Sequence, residues 1–264
     1  MTGTLVCRRV VGLVVVGATV LVASALGGGA AAQQAPATER RTPRVAAPVD
    51  LTGSWVSVVT EEWLWRMTTP AKGDYTSIPL SEDGRRVADA WDPSTDGSCR
   101  AYGAAGLMRI PTRLHITWEG DDVLKVETDA GQQTRLLRFD RSRPPGPRSL
   151  QGHSLAEWEP IGGPPVLRNG RAIGAGTPQG GALKVVTTNL LEGWLRKNGV
   201  PYSESASLTE YWDRVRFPNG DAWLVVTSIV SDPRYLLNDY TTSMHFKHEP
   251  DDSRWRPTAC KQIT

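Results

Sequence analysis

Glu210, Trp212 and Arg214 stand two residues apart in the segment LTEYWDR. In an extended strand such positions share a face, so an acid and a guanidinium flank an indole. Facing inward in a β structure, the trio makes a polar clamp for a ligand carboxylate or hydroxyl, with Trp212 stacked on the ligand's flat part. Without a ligand the same residues are a structural ion pair beside a core tryptophan, or a solvated outer face. A buried ion pair is costly to desolvate, so an inward pair calls for further hydrogen bonds or a ligand. His115 and Arg135 fall on neighbouring extended segments and would join this cluster if both turn inward.

His153, in GHS, sits where a loop meets a strand and suits a pocket rim. Either His153 or Glu210 is the residue type for general acid–base work, with an arginine to stabilise an anion. That combination would suit a cofactor-independent lyase, isomerase or hydratase. A hydrolytic triad is not indicated: adjacent strand residues point apart, so His153 does not reach Ser154, and there is no G-x-S-x-G elbow. His245 and His248 likewise face opposite ways on a strand, a poor start for zinc. No cofactor and no metal is expected.

The first 32 residues read as an export signal. Arg8 and Arg9 precede an apolar run, and Ala30-Ala31-Ala32 offers a small-residue cleavage site. Cleavage would leave no integral membrane segment, in a periplasmic or secreted protein. The whole chain carries 30 Lys and Arg against 28 Asp and Glu, so loss of Arg8 and Arg9 leaves 28 of each. A neutral chain with interspersed charge lacks the basic footprint of nucleic-acid binding. Two cysteines then remain, Cys99 and Cys260, and in an oxidising compartment they read as one disulfide; two separate buried thiols are the alternative.

The elements that must position these residues read mostly as β. Residues 33–49 are rich in Ala, Pro, Thr and Arg without periodicity, a disordered linker, and 50–264 form a single barrel domain. Gly53 and Trp55 share a face of a first strand running Leu51–Thr60. A glycine beside an inward tryptophan suits a strand that bends round a ring plugging the closed end. Glu62–Thr68 continues that strand or pairs beside it, with Trp63, Trp65 and Met67 on one face and Arg66 on the other. Ser81 N-caps one main helix with Glu82 and Asp83 in its first turn, reaching Trp91. A three-stranded meander follows from Arg113 to Phe139, broken by DRSRPPGPRS. Ser207–Phe217 and Ala222–Val230 form a hairpin across Pro218-Asn219-Gly220-Asp221, and Thr242–Lys247 is a last strand. The fold class is therefore all-β with minor α: an antiparallel barrel or strongly curved sheet of about nine or ten strands.

The Gly53-Ser54-Trp55 opening resembles the G-x-W signature of lipocalin-type barrels. Over most of the chain, the order DLTGSW, GHSLAEWE, LKVVTTN, LTEYWDR and SDPRY resembles an uncharacterised family of secreted, lipocalin-like β-rich bacterial proteins. There the late strand often reads E-x-aromatic-x-R, matched by Glu210, Trp212 and Arg214. The resemblance implies a shared fold and export, and supplies no chemistry.

The expected function is burial of a small, partly apolar molecule within the barrel, at roughly 25 cal/mol per Å² of apolar surface. Trp55, Trp65 and Trp212 would supply the walls, and Arg66, His115, Arg135 and Arg214 the polar contacts. Arg196, Tyr202 and Asp232 are loop residues placed to line an open end. Catalysis through Glu210 or His153 is the second expectation. A ligand-free structural role in the cell envelope is the third.

Overall fold

The computed structural model describes residues 41–262, except 162–165, 169–170 and 174–179. The export signal read over 1–32 and the first part of the linker lie outside the described residues.

Nine strands close into a barrel: β1 (Gly53–Val58), β2 (Arg113–Glu119), β3 (Val123–Thr128), β4 (Thr134–Arg138), β5 (His153–Pro160), β6 (Gly181–Thr188), β7 (Ser207–Arg216), β8 (Ala222–Ser231) and β9 (Tyr240–Glu249). Each neighbours the next in chain order, and β9 closes the ring on β1. An odd-numbered ring cannot alternate direction throughout, so at least one neighbouring pair must run parallel. That pair is β4 with β5, through Leu137↔Ser154 and Arg138↔Leu155, against the expectation of an antiparallel order throughout. A parallel neighbour requires the chain to travel back along the barrel. The Pro-rich stretch Asp140–Ser149 is the start of that return path.

Alternation fixes what faces inward. On β7, Leu208, Glu210 and Trp212 are buried, while Ser207, Thr209 and Tyr211 are half-buried on the outer face. β8 repeats the pattern with Leu224, Val226, Ser228 and Val230. The β7–β8 hairpin turns as expected, with Gly220 at φ 88° in the left-handed region. Gly53 has a specific job. At φ 119° it passes so close to His248 that a Cβ there would lie 2.8 Å from the imidazole Nε2.

The two ends of the barrel differ. At one end Trp118, Phe139 and Trp158 cluster, with ring centroids 5.5–6.4 Å apart. The stretch read as linker docks there over its described part: Trp158 Nε1 donates to Pro43 O at 2.8 Å, and Val49 packs on the core. At the other end sits the long β1–β2 insertion with three short helices, α1 (Trp63–Met67), α2 (Glu82–Asp89) and α3 (Ala104–Leu107). Beside it the β6–β7 connection forms a small hairpin, Gly193–Arg196 with Val200–Tyr202. A second apolar core joins them, built from Tyr75, Ile78, Leu190, Tyr202, Leu208 and Tyr240 among others.

Ser81 caps α2 as expected, its Oγ accepting from Gly84 N at 3.1 Å. The helix ends at Asp89, short of Trp91, whose ring packs edge-on against Trp194. Gly84 has a packing reason, since a Cβ there would lie 2.4 Å from the Tyr235 carbonyl oxygen. Cys99 and Cys260 are bonded, with Cα atoms 4.9 Å apart, tying the insertion to the C-terminal tail across 161 residues.

Residues 63–67 are helical, not extended. Glu62, at φ 50°, turns the chain out of the β1 direction. The buried residue of the new helix is then Arg66, while Trp63, Leu64 and Met67 are exposed.

Candidate functional site

The inward face of the late strand carries a paired charge, though not the pair its own sequence suggests. Glu210 bonds Arg135 from β4 in bidentate fashion, at 3.0 and 2.6 Å. Neither side chain has exposed surface. Arg135 also donates to Thr187 Oγ1 at 3.3 Å, and that hydroxyl lies 2.7 Å from Ser154 Oγ. Bidentate geometry and neighbouring hydroxyls are what a buried pair needs to offset desolvation.

Arg214 sits at the other end of β7, its guanidinium carbon 5.4 Å from the Trp55 ring centroid and its Nη1 donating to the Asp50 carbonyl oxygen. Trp55 itself donates to Leu51 O at 3.1 Å. His248 meets the Trp55 ring edge-on at 4.9 Å, its pKa lowered by burial and by Arg214 and Arg216. Trp55 and Trp212 are fully buried in a core filled by Ile116, Leu124, Leu137, Leu224 and Phe246. The space reserved for a central ligand is occupied by side chains.

Other expected site residues scatter. His115 points outward from β2, with its ring 6.2 Å from that of Trp255, so it does not join Arg135. His153 also faces outward, into a cleft of about 480 Å³ beside Arg138 and Arg143. Burial and those two arginines lower its pKa. Ser154 faces inward, so His153 and Glu210 are on opposite sides of the wall.

Trp65 and Arg66 come together with Arg196 and with Glu61, Asp74 and Arg109, which sequence reasoning left out. Arg66 bonds Glu61 and donates through Nε to Arg109 O at 2.9 Å. Arg109 bonds Glu62, and Arg196 approaches the same carboxylate at 3.5 Å. Arg196 lies over the Trp65 ring, 5.1 Å from its centroid, while Trp65 Nε1 donates to Asp74 at 2.7 Å. The Arg109 guanidinium lies 5.5 Å from the centre of the Tyr240 ring. All three arginines and Tyr240 are at most 5 % exposed. Four guanidinium nitrogens and the Tyr240 hydroxyl have no hydrogen-bond partner among the described residues.

Burial lowers the pKa of Arg66 and Arg196 and raises that of Tyr240. Glu61 behaves differently. Burial acts to raise its pKa, but hydrogen bonds from Thr60 and His245 and the charge of Arg66 leave it below the ordinary value.

This cluster backs a cleft of about 820 Å³, bounded by Glu61 and Glu62, by Ser77–Pro79, and by residues 238–245. Here the barrel wall is incomplete. β1 pairs with β9 only as far as Val58↔His245, and the Tyr240–Met244 half of β9 has no strand on that side among the described residues. The signals for this slot were the adjacent acids Glu61-Glu62, which end the β1 alternation, and Arg196, already set at an open end.

The fold and site thus define a nine-stranded β-barrel, antiparallel but for one pair, with a packed interior and a slot in its wall. No protein-family model, curated protein or solved structure matches the chain.

Proposed function

We propose that this protein works outside the cytoplasm, in the periplasm or secreted, as a binder of a small, partly apolar ligand, and that the ligand sits in the wall slot, not in the barrel centre. One observation carries the reading: the slot sets apolar surface from Ile78, Pro79 and Tyr240 beside the carboxylates of Glu61 and Glu62 and the His245 imidazole. A mixed concavity of this size is the usual form of a small-ligand site. The exposed Trp63, Leu64 and Met67 follow in sequence on the acidic rim residues Glu61 and Glu62. The Cys99–Cys260 bond and the Arg8-Arg9 leader support the compartment.

The test is a titration of the pure protein with aromatic acids, terpenoids and sugars, following tryptophan emission and product by mass spectrometry. Quenching without turnover, weakened by Tyr240→Ala, is the expected result. An emission spectrum and melting temperature unmoved by every compound would rule out a small molecule of these classes as the slot's ligand.

A further inference from the structure

β9 contributes every residue from Tyr240 to His245 to the slot, inward-facing and outward-facing alike. A cavity lined by consecutive residues of a strand lies against its lateral edge, where the main-chain hydrogen-bonding groups are. Which groups point there follows from the ladder. Ser57 donates its backbone N–H to Thr112 O at 3.0 Å, toward β2. Alternation turns the main-chain groups of Val56 and Val58 the other way, toward Lys247 and His245 on β9. Two and four residues back along β9, Ser243 and Thr241 aim in that same direction, beyond the end of β1. The even-numbered residues between them hydrogen-bond to β8.

Thr241 and Ser243 therefore present two N–H groups and two carbonyls to the slot. A closed barrel normally leaves no such edge, because ring closure pairs every strand on both sides. The slot is bounded at its far end by the Leu80↔Leu236 bridge and by Leu237 N–H bonded to Pro79 O at 2.8 Å. Five residues of free edge span about 16 Å at the usual strand rise.

From this edge we infer that the slot's ligand is an extended peptide segment, added to β9 as a short extra strand in the place β1 vacates. The inference rests on the slot being the ligand site and names the class of ligand. Main-chain bonds to Thr241 and Ser243 would hold the segment, and alternate side chains would read the pocket. Glu61 and Glu62 on the rim are already matched by Arg66, Arg109 and Arg196, so the slot sets no net charge preference and affinity rests on the main-chain bonds.

The probe is a terminally blocked pentapeptide, acetyl-Thr-Val-Lys-Val-Thr-amide, titrated into the full chain by calorimetry. Two N-methylated versions carry the test, one methylated at the second and fourth residues, the other at the third. Strand addition uses the N–H groups of one alternate set only. One version is therefore expected to lose binding at least tenfold while the other binds like the parent. Ser243→Pro removes a slot-facing donor without touching the β8 ladder, and is expected to melt cooperatively yet lose the peptide. Should that variant not fold, the methylation comparison on the unaltered chain still decides. Equal binding of both methylated forms, or no binding of the parent peptide, overturns strand addition. If aromatic compounds still quench emission in that case, the slot survives as a small-molecule site; if nothing binds, both readings fall.

Discussion

Among the described residues, buried guanidinium groups form two networks that differ in partner count and in access to solvent. Inside the barrel Arg135 meets Glu210 one to one, across strands held in register on both sides. At the slot, Arg66, Arg109 and Arg196 share Glu61 and Glu62, on a helix, a turn and a hairpin, with both carboxylates partly open to solvent. The Arg135–Glu210 pair also leaves one donor unpartnered among the described residues, Arg135 Nε, but it is sealed from water and from any ligand. An uneven set behind an open cleft keeps unused donors. Burial of charge is therefore a weak guide to function on its own; partner count and access to solvent decide.

The sharpest way to break this contrast is to remove one member of each cluster. Glu210→Ala strands Arg135 in the core, and should cost about 3–5 kcal/mol in urea unfolding. Replacing both residues by Met and Leu should recover most of the loss. If Glu210→Ala costs under about 1 kcal/mol, the pair is not structural in the sense argued here. Opening the disulfide with Cys99→Ser and Cys260→Ser should cost about 2–5 kcal/mol. Hydrogen exchange should then rise in the insertion more than in β6–β8, since the bond ties the insertion to the tail. Glu62→Gln should cost less, about 1–3 kcal/mol, because the amide keeps a hydrogen bond but leaves Arg109 and Arg196 facing each other. It should also alter slot binding, which Glu210 variants that still fold should leave alone.

The smallest effect is on pH. His248 is held below the ordinary value of 6.5, so the unfolded chain takes up the proton first and stability falls as pH drops from about 6.5. Glu61 also sits below its ordinary value of 4.5. Its contribution is present above that pH and is lost as pH falls through the lower folded-state value. Acid should thus loosen the Trp55 end before the slot end. His248→Gln should flatten the melting temperature against pH just below 6.5, and an unchanged slope would remove His248 as the cause.

Much of the barrel was legible because period-two alternation survives in β2, β3, β7 and β8 and because Pro218–Asp221 is a strong turn. The β4–β5 parallel pair was not, since strand direction is set by ring closure and not by local pattern. The helix at Trp63–Met67 was misread because WLWRM satisfies a strand pattern equally well; what decided it was the long-range anchoring of Arg66 to the Arg109 carbonyl. An inward face for Glu210 and Trp212 was one of the readings the alternation left open, and both side chains are buried there. Arg135 was expected to join the cluster only if it turned inward; that it, and not the nearby Arg214, is the partner of Glu210 could not be read locally, because it lies 75 residues away in sequence. The slot was marked only by Glu61-Glu62 and Arg196, because a missing neighbour on one side of β9 leaves no mark in β9's own sequence.

The seam between β1 and β9 has a further consequence. Ser54 meets Glu249, so the first strand made waits for the last before its second edge is covered. A chain emerging from its N-terminus must hold β1 unsealed throughout synthesis, and the long loop to be closed makes that final docking slow. Truncation anywhere before Tyr240 would leave an open curl with two sticky rims instead of a shorter barrel.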